Sequence, residues 1–186
     1  GRFENDFYRG SRPYEVSLDG GQPRRVHDAF GSAAQRSPDG SKVLFERGRT
    51  SWTRRGKRGS GTRDVWLHSP EDGFVQLTTW EGNDGYPHWL DDETMLFLSD
   101  RELGAVNLYR QSIVPGVEMA ERLTDFTEHD VTDFDVSADG RHVVMQNWDR
   151  LYALDLDDST NGSEVRAISI EANTDGLDRV IPKNVS

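Results

Sequence analysis

Short apolar runs alternate with polar turn residues along the whole chain, and the alternation recurs with a long period. Ser37-Pro38-Asp39-Gly40-Ser41-Lys42-Val43-Leu44-Phe45 returns as Trp89-Leu90-Asp91-Asp92-Glu93-Thr94-Met95-Leu96-Phe97. It returns again as Ser137-Ala138-Asp139-Gly140-Arg141-His142-Val143-Val144-Met145. The aligned Asp39, Asp91 and Asp139 lie 52 and 48 residues apart. A second run follows each: Asp64-Val65-Trp66-Leu67, Asn107-Leu108-Tyr109-Arg110 and Arg150-Leu151-Tyr152-Ala153. A third closes each unit: Gln76-Leu77-Thr78, Arg122-Leu123-Thr124 and Arg166-Ala167-Ile168. Arg12-Pro13-Tyr14-Glu15 and Arg25-Val26 read as the last two runs of an earlier unit.

No segment carries a sustained helical period with caps, whereas β-branched and aromatic runs bounded by Gly, Asp, Asn and Pro read as strands. Asp39-Gly40 and Asp139-Gly140 suit tight hairpins, since glycine takes positive φ at no steric cost and Asp tolerates it. Short strands repeating every 40 to 50 residues predict an all-β chain, a β-propeller of four-stranded antiparallel blades. The inner strands are expected at Ser32–Gln35, Tyr86–Trp89 and Asp133–Val136. The repeats divide the propeller portion, 1–166, into units near 1–36, 37–89, 90–136 and 137–168, with 167–186 as a linker toward a following domain. The reading is therefore three complete blades and a partial N-terminal one of a larger closed ring, with about two blades absent or supplied by a partner. Equivalent aromatics Trp66, Tyr109 and Tyr152 are expected to pack blade against blade.

Composition narrows the function. The chain has 186 residues, a net charge of −11 and no cysteine. A disulfide scaffold, a thiolate metal site and a cysteine nucleophile are excluded. No apolar run approaches the ~18 residues of a membrane span, so no membrane association is expected. The acidic balance argues against a nucleic-acid partner, which needs a basic face. The charge is uneven, however. Arg47, Arg49, Arg54, Arg55, Lys57, Arg58 and Arg63 form an acid-free segment carrying +7, which leaves −18 on the rest. In a propeller blade the second-to-third-strand hairpin and the blade-to-blade connections emerge on one face. The basic segment should therefore sit beside 79–85, 27–32 and 127–131.

Catalytic signatures are missing: there is no Gly-x-Ser-x-Gly elbow and no His-Glu-x-x-His zinc motif. His27, His68, His88, His129 and His142 are scattered. Asp133 and Asp135 alternate on an inner strand, a pattern that fits channel lining. Asp155, Asp157 and Asp158 lack the glycine and glutamate spacing of a calcium loop. No catalytic residue, metal site or cofactor is expected within the chain.

The Ser-Pro-Asp-Gly-x-[Lys/Arg]-Val-Leu-Phe core, followed by Asp-Val-Trp and Gln-Leu-Thr, resembles the PD40 (WD40-like) repeats of translocation protein TolB and of tricorn proteases. The stretch Val43–Trp89, with Glu46-Arg47-Gly48-Arg49-Thr50-Ser51-Trp52 and Trp80-Glu81-Gly82-Asn83-Asp84-Gly85, resembles the six-bladed propeller of tricorn-type serine peptidases. That resemblance implies a non-catalytic propeller that gates and anchors oligopeptide substrates, with a Ser-His-Ser-Glu tetrad outside this chain. It further implies a peptide or unfolded polypeptide as ligand, further propeller and peptidase domains of the same chain as partners, and a cytoplasmic setting, with a periplasmic or secreted one as the alternative; a homo-oligomer is a further partner expectation. The basic pair that holds a substrate C-terminus in that family is best matched by Arg54-Arg55, with Arg58 alongside and Trp52 as an apolar contact. Paired arginines suit the role because the guanidinium fork grips a carboxylate bidentately. The chain is accordingly expected to be a piece of a longer product. The other readings of the basic segment are a solvated loop paired with the acidic remainder, a stand-alone TolB-like interaction scaffold, and a carbohydrate- or polyanion-binding propeller.

Overall fold

The computed structural model describes residues 10–102, 104–114, 120–156 and 164–170. Among these the regular structure is β-strand, arranged as one two-stranded and three four-stranded antiparallel sheets. The partial sheet pairs β1 (Tyr14–Glu15) with β2 (Arg24–Arg25). The first full sheet runs β3 (Ser32–Arg36), β4 (Val43–Arg47), β5 (Asp64–Ser69), β6 (Gly73–Gln76). The middle sheet runs β7 (Asp84–Trp89), β8 (Thr94–Ser99), β9 (Asn107–Ser112), β10 (Glu121–Arg122). The last runs β11 (Val131–Val136), β12 (His142–Asn147), β13 (Arg150–Asp155), β14 (Val165–Ile168). Each is a meander of sequential neighbours, as a propeller blade requires.

The sheets and the sequence repeats are out of phase by one strand. Each sequence repeat begins at its Asp turn, but hydrogen bonding groups the strand before that turn with the three after it. The turns explain the repeat. Gly40 and Gly140 adopt φ of 77° and 70°, and their N–H groups donate to Ser37 and Ser137 carbonyls at 2.9 and 2.8 Å. Asp39 accepts from the Ser37 hydroxyl at 2.6 Å and the Ser41 N–H at 2.9 Å, and these bonds hold its carboxyl down near about 2. Each inner strand also carries a register shift that bends it; those ending at Gln35 and His88 stand at equivalent places, and the one ending at Asp133 comes two residues earlier.

Two clusters hold the sheets face to face. Leu44, Val65, Leu67 and Leu77 of the first full sheet meet Trp89, Met95, Phe97 and Tyr109 of the middle one. On the other side Leu96, Leu98, Leu108 and Leu123 meet Val131, Phe134, Val143, Met145 and Leu154. The middle sheet is thus covered on both faces, and its β8 reads Met-Leu-Phe-Leu without alternation.

Tyr109 is core, 2% exposed, and Tyr152 packs half-buried against the second cluster. Trp66 is half-buried like Tyr152, but among the described residues it faces the two-stranded sheet across a cleft of about 950 Å³ that it lines with Phe30, Arg47 and Arg49. The linker assigned to 167–186 lies outside the described residues from 171 onward; Ala167 and Ile168 belong to β14.

Candidate functional site: the basic hairpin and its neighbours

The connection between β4 and β5, residues 48–63, is the long basic hairpin, and it lies where the sequence geometry placed it. Its Gly59 N–H donates to the Glu81 carbonyl at 3.0 Å, tying it to the next connection. Arg55 reaches the connection beyond that, donating Nε–H to Asp130 Oδ2 at 2.9 Å, with the Gly104 and Glu128 carbonyls each 3.4 Å from its outer nitrogens. Toward the partial sheet, Arg47, Gly48 and Arg49 share the 950 Å³ cleft with Phe30, Gly31 and Ser32. The loops on one face of three sheets therefore converge around this hairpin.

Its base is a buried ion pair. Glu46, 4% exposed, binds Arg63 and the Ser32 hydroxyl through Oε1 and accepts the Tyr86 N–H at 3.1 Å through Oε2. Arg63 also donates to the Thr50 carbonyl at 2.7 Å and lies over the Trp52 ring. Trp52 is half-buried, 5.7 Å from the Tyr86 ring, and packs against the second core cluster with its indole N–H buried and unpartnered. It is a wall of the hairpin more than an exposed contact surface.

The cations of the hairpin separate into two sets. Arg58 lies over the Trp80 ring at 5.0 Å, with Glu81 at 3.7 Å and Asp100 at 3.4 Å. Asp100 is itself fixed by the Asn83 backbone and side-chain N–H groups at 2.8 and 3.0 Å and by the Trp80 indole at 3.3 Å. Arg55 is held by Asp130, as above. Arg54 and Arg49, by contrast, are exposed, and their side chains meet no carboxylate among the described residues. The Arg54-Arg55 pair is thus not a symmetric fork: one member is spent within the fold and the other faces solvent.

Beneath the hairpin lie one buried and one half-buried acid. Asp84 is fully buried and takes Arg101 at 2.7 Å, yet burial outweighs that cation and pushes its carboxyl up. Asp64, at the start of β5, is raised to about 6, first by burial and then by the Asp84 charge. His88, on the inner strand as expected, lies 4.6 Å from the Phe134 ring with Asp135 at 3.9 Å, and burial lowers its pKa. Asp133 and Asp135 are exposed, and each accepts the N–H of the residue that follows it. Among the described residues no group of three or more His, Asp or Glu side chains is arranged to hold a metal ion.

No protein-family model matches the sequence, and no curated protein matches it either. Solved structures do match. The tricorn protease aligns with a TM-score of 0.69 at 16% identity over 88% of this chain and 15% of that one. A puromycin-hydrolyzing peptidase of Mycobacterium tuberculosis aligns with 0.59 at 16% identity, over 84% of this chain and 31% of that one. A TolB from Agrobacterium tumefaciens aligns with 0.50 at 19% identity, over 83% and 72%. The chain thus spans less than a third of the length of either peptidase. At these identities the likeness speaks of fold, and the fold is that of a tricorn- and TolB-like β-propeller in three full sheets and part of a fourth.

Proposed function

We propose that this propeller segment is the non-catalytic, peptide-anchoring and gating element of a tricorn-type serine peptidase whose catalytic residues lie outside the chain. The observation that carries the reading is the division of labour in the basic hairpin. Arg55 and Arg58 pin it to two neighbouring connections, so that Arg54 is held out, with no carboxylate partner among the described residues, on the face where the loops meet. A cation positioned this way captures a peptide C-terminal carboxylate by a charge-assisted hydrogen bond, at little ordering cost to the loop. Arg49, at the mouth of the neighbouring cleft, supplies a second guanidinium with no carboxylate partner among the described residues. In this reading Arg55 and Arg58 set the geometry of the anchor, and Trp52 is the apolar wall under it.

The test compares a peptide bearing a free C-terminal carboxylate with its amidated twin, on the chain as it stands and on Arg54→Ala. A preference for the free acid of roughly 1.5–3 kcal/mol, lost in the variant, is expected of such an anchor. Equal binding of the two peptides would discard it and leave the TolB-like interaction scaffold as the reading of this fold.

A further inference from the structure

Arg58 occupies a small cage made by Trp80, Glu81 and Asp100, and the next sheet repeats its positions without an occupant among the described residues. The repeat is fixed by backbone chemistry. The Thr78 and Thr124 hydroxyls accept the Val65 and Leu108 N–H groups at 2.9 and 3.0 Å. The Asn83 and Asp130 side chains accept the Arg63 and Val106 N–H groups at 3.3 and 2.8 Å. The N–H groups of Asp84 and Val131 donate to the Arg63 and Val106 carbonyls at 2.8 and 2.9 Å. Counting inward from these anchors, Phe126 stands for Trp80 and Glu128 for Glu81. The pairs Trp89↔Met95 and Val136↔Val143 set the second strands in one register, so Trp148 stands for Asp100.

What differs is the hairpin that feeds each cage. Sixteen residues, 48–63, separate β4 from β5, and they carry Arg58 across to the next sheet. Between β8 and β9 there are only seven, 100–106, and the arginine among them, Arg101, turns back onto Asp84 and Ser99. Among the described residues the cation from another sheet that comes near is Arg55, which reaches the Glu128 carbonyl at 3.4 Å and Asp130 but does not line the cage. An open cleft of about 410 Å³ remains there, lined by Phe126, Glu128, His129, Trp148 and Tyr152.

The cleft has the chemistry of a cation receptor. Trp148 is 64% exposed on a two-residue turn at φ 56°, and one of its faces rests on the His129 ring at 4.8 Å and 17°. Phe126 meets Tyr152 edge-on at 5.0 Å. Asp125, Glu128 and Asp149 bring three carboxylates to the rim against one cation, Arg150, which is exposed beside Asp149. Aromatic faces with carboxylates behind them favour a flat, weakly hydrated guanidinium, the group that fills the first cage.

We propose that this second cage binds an arginine side chain of a peptide or protein ligand. The proposal gives the peptide-binding reading a side-chain preference and does not depend on the carboxylate anchor, because the probe below has both termini blocked.

The probe is acetyl-Gly-Gly-Arg-Gly-Gly-amide, titrated into the intact chain while its indole N–H resonances are followed by NMR; acetyl-Gly-Gly-Gln-Gly-Gly-amide is the control. The Trp148 signal is assigned by its loss in Trp148→Ala. A saturable shift of that signal with the arginine peptide is expected, at least fivefold weaker with the glutamine one. Trp148→Ala and Glu128→Gln should each weaken binding by about three- to thirtyfold, the first followed through the remaining indoles. Arg54→Ala should leave it unchanged. Dispersed spectra of the variants check that they fold, as an exposed turn residue and an isosteric change allow. Equal affinity for the two peptides, a shift confined to Trp80, or unaltered binding in both cage variants would each overturn the proposal. Loss of the carboxylate preference alone would instead strike only the anchor reading.

Discussion

The middle and last sheets place the same three positions in the same register but treat them oppositely. Leu96, Leu108 and Leu123 line one face of the middle sheet, and their exposures are 0, 0 and 8%. Their counterparts on the last sheet are Val144, half-exposed Leu151 and Ile168; Val144 is 44% exposed and Ile168 38%. The second strands show the same contrast, since β8 is buried almost throughout whereas β12 alternates. The difference lies in the neighbour and only partly in the strand. Gln146 stands where the middle sheet has Leu98, and His142 where it has Thr94, so polar residues interrupt the last face. The lesson is that burial in a stack of sheets belongs to the interface, and strand propensity alone does not report it.

The most direct way to break this comparison is a matched pair of truncations. Leu96→Ala removes a fully buried side chain between two sheets and should cost about 2–5 kcal/mol of unfolding free energy. Val144→Ala, at the same register one sheet on, should cost less than about 1 kcal/mol, because the side chain already meets solvent. Denaturant melts of both variants read the difference. Equal costs would mean that the last face is covered in solution.

Much of this architecture was legible beforehand. The Asp-Gly turns at Gly40 and Gly140 impose their own backbone geometry, so the repeat and the inner strands followed from local chemistry. The position of the basic hairpin followed from propeller topology. What the sequence did not carry was pairing at a distance. Nothing local marks Arg55 as the partner of Asp130, 75 residues away, or Arg58 as the partner of Asp100. The tricorn resemblance singles out the pair Arg54-Arg55, but the fold holds Arg55 on Asp130 and leaves Arg54 exposed. Nor did the repeats reveal that Trp66 faces a cleft, because that depends on a neighbouring sheet of only two strands. The second cage was the most accessible omission. Aligning Asp100 with Trp148 across the repeats would have exposed an aromatic where its neighbour has a carboxylate.

The outer interface sharpens the comparison by its response to acid. The full sheets meet through aliphatic and aromatic side chains, whereas the partial sheet meets the first full one through His27. That residue is 7% exposed, and its ring lies 4.4 Å from Phe45, 5.1 Å from His68 and 5.3 Å from Phe74. Burial, and then the His68 charge, lower its pKa to about 4; the Ala29 backbone and the Asp28 carboxylate oppose this more weakly. His68 is shifted down as well, by burial. The native state therefore prefers the neutral ring. Its stabilisation is complete above the unfolded value near 6.5 and is lost as pH falls toward 4, by up to about 3 kcal/mol. Asp64, raised to about 6, acts with the opposite sign over the lower part of that window, because its native carboxyl takes up protons sooner than the unfolded one. His27→Phe removes the first contribution and keeps the second. Stability measured at pH 7.5 and pH 5 should fall less in the variant than in the parent; an identical fall would show that His27 is protonated without cost.

The smallest effects fall within the basic hairpin, where the question is which arginines the fold already uses. Arg58→Ala leaves Asp100 with its Asn83 and Trp80 donors but strips its cation and uncovers the Trp80 face. Those surviving bonds keep the carboxylate satisfied, and the pair is partly solvated, so the cost should be about 1 kcal/mol, shrinking as salt is added. Arg54→Ala touches no carboxylate partner among the described residues and should stay within about 0.5 kcal/mol. Thermal melts at low and high salt separate the two, since only the Arg58 variant should lose its deficit as the ionic strength rises. If Arg54→Ala destabilises as much as Arg58→Ala, then Arg54 is held by the fold too, and the free cation on which the peptide anchor depends does not exist.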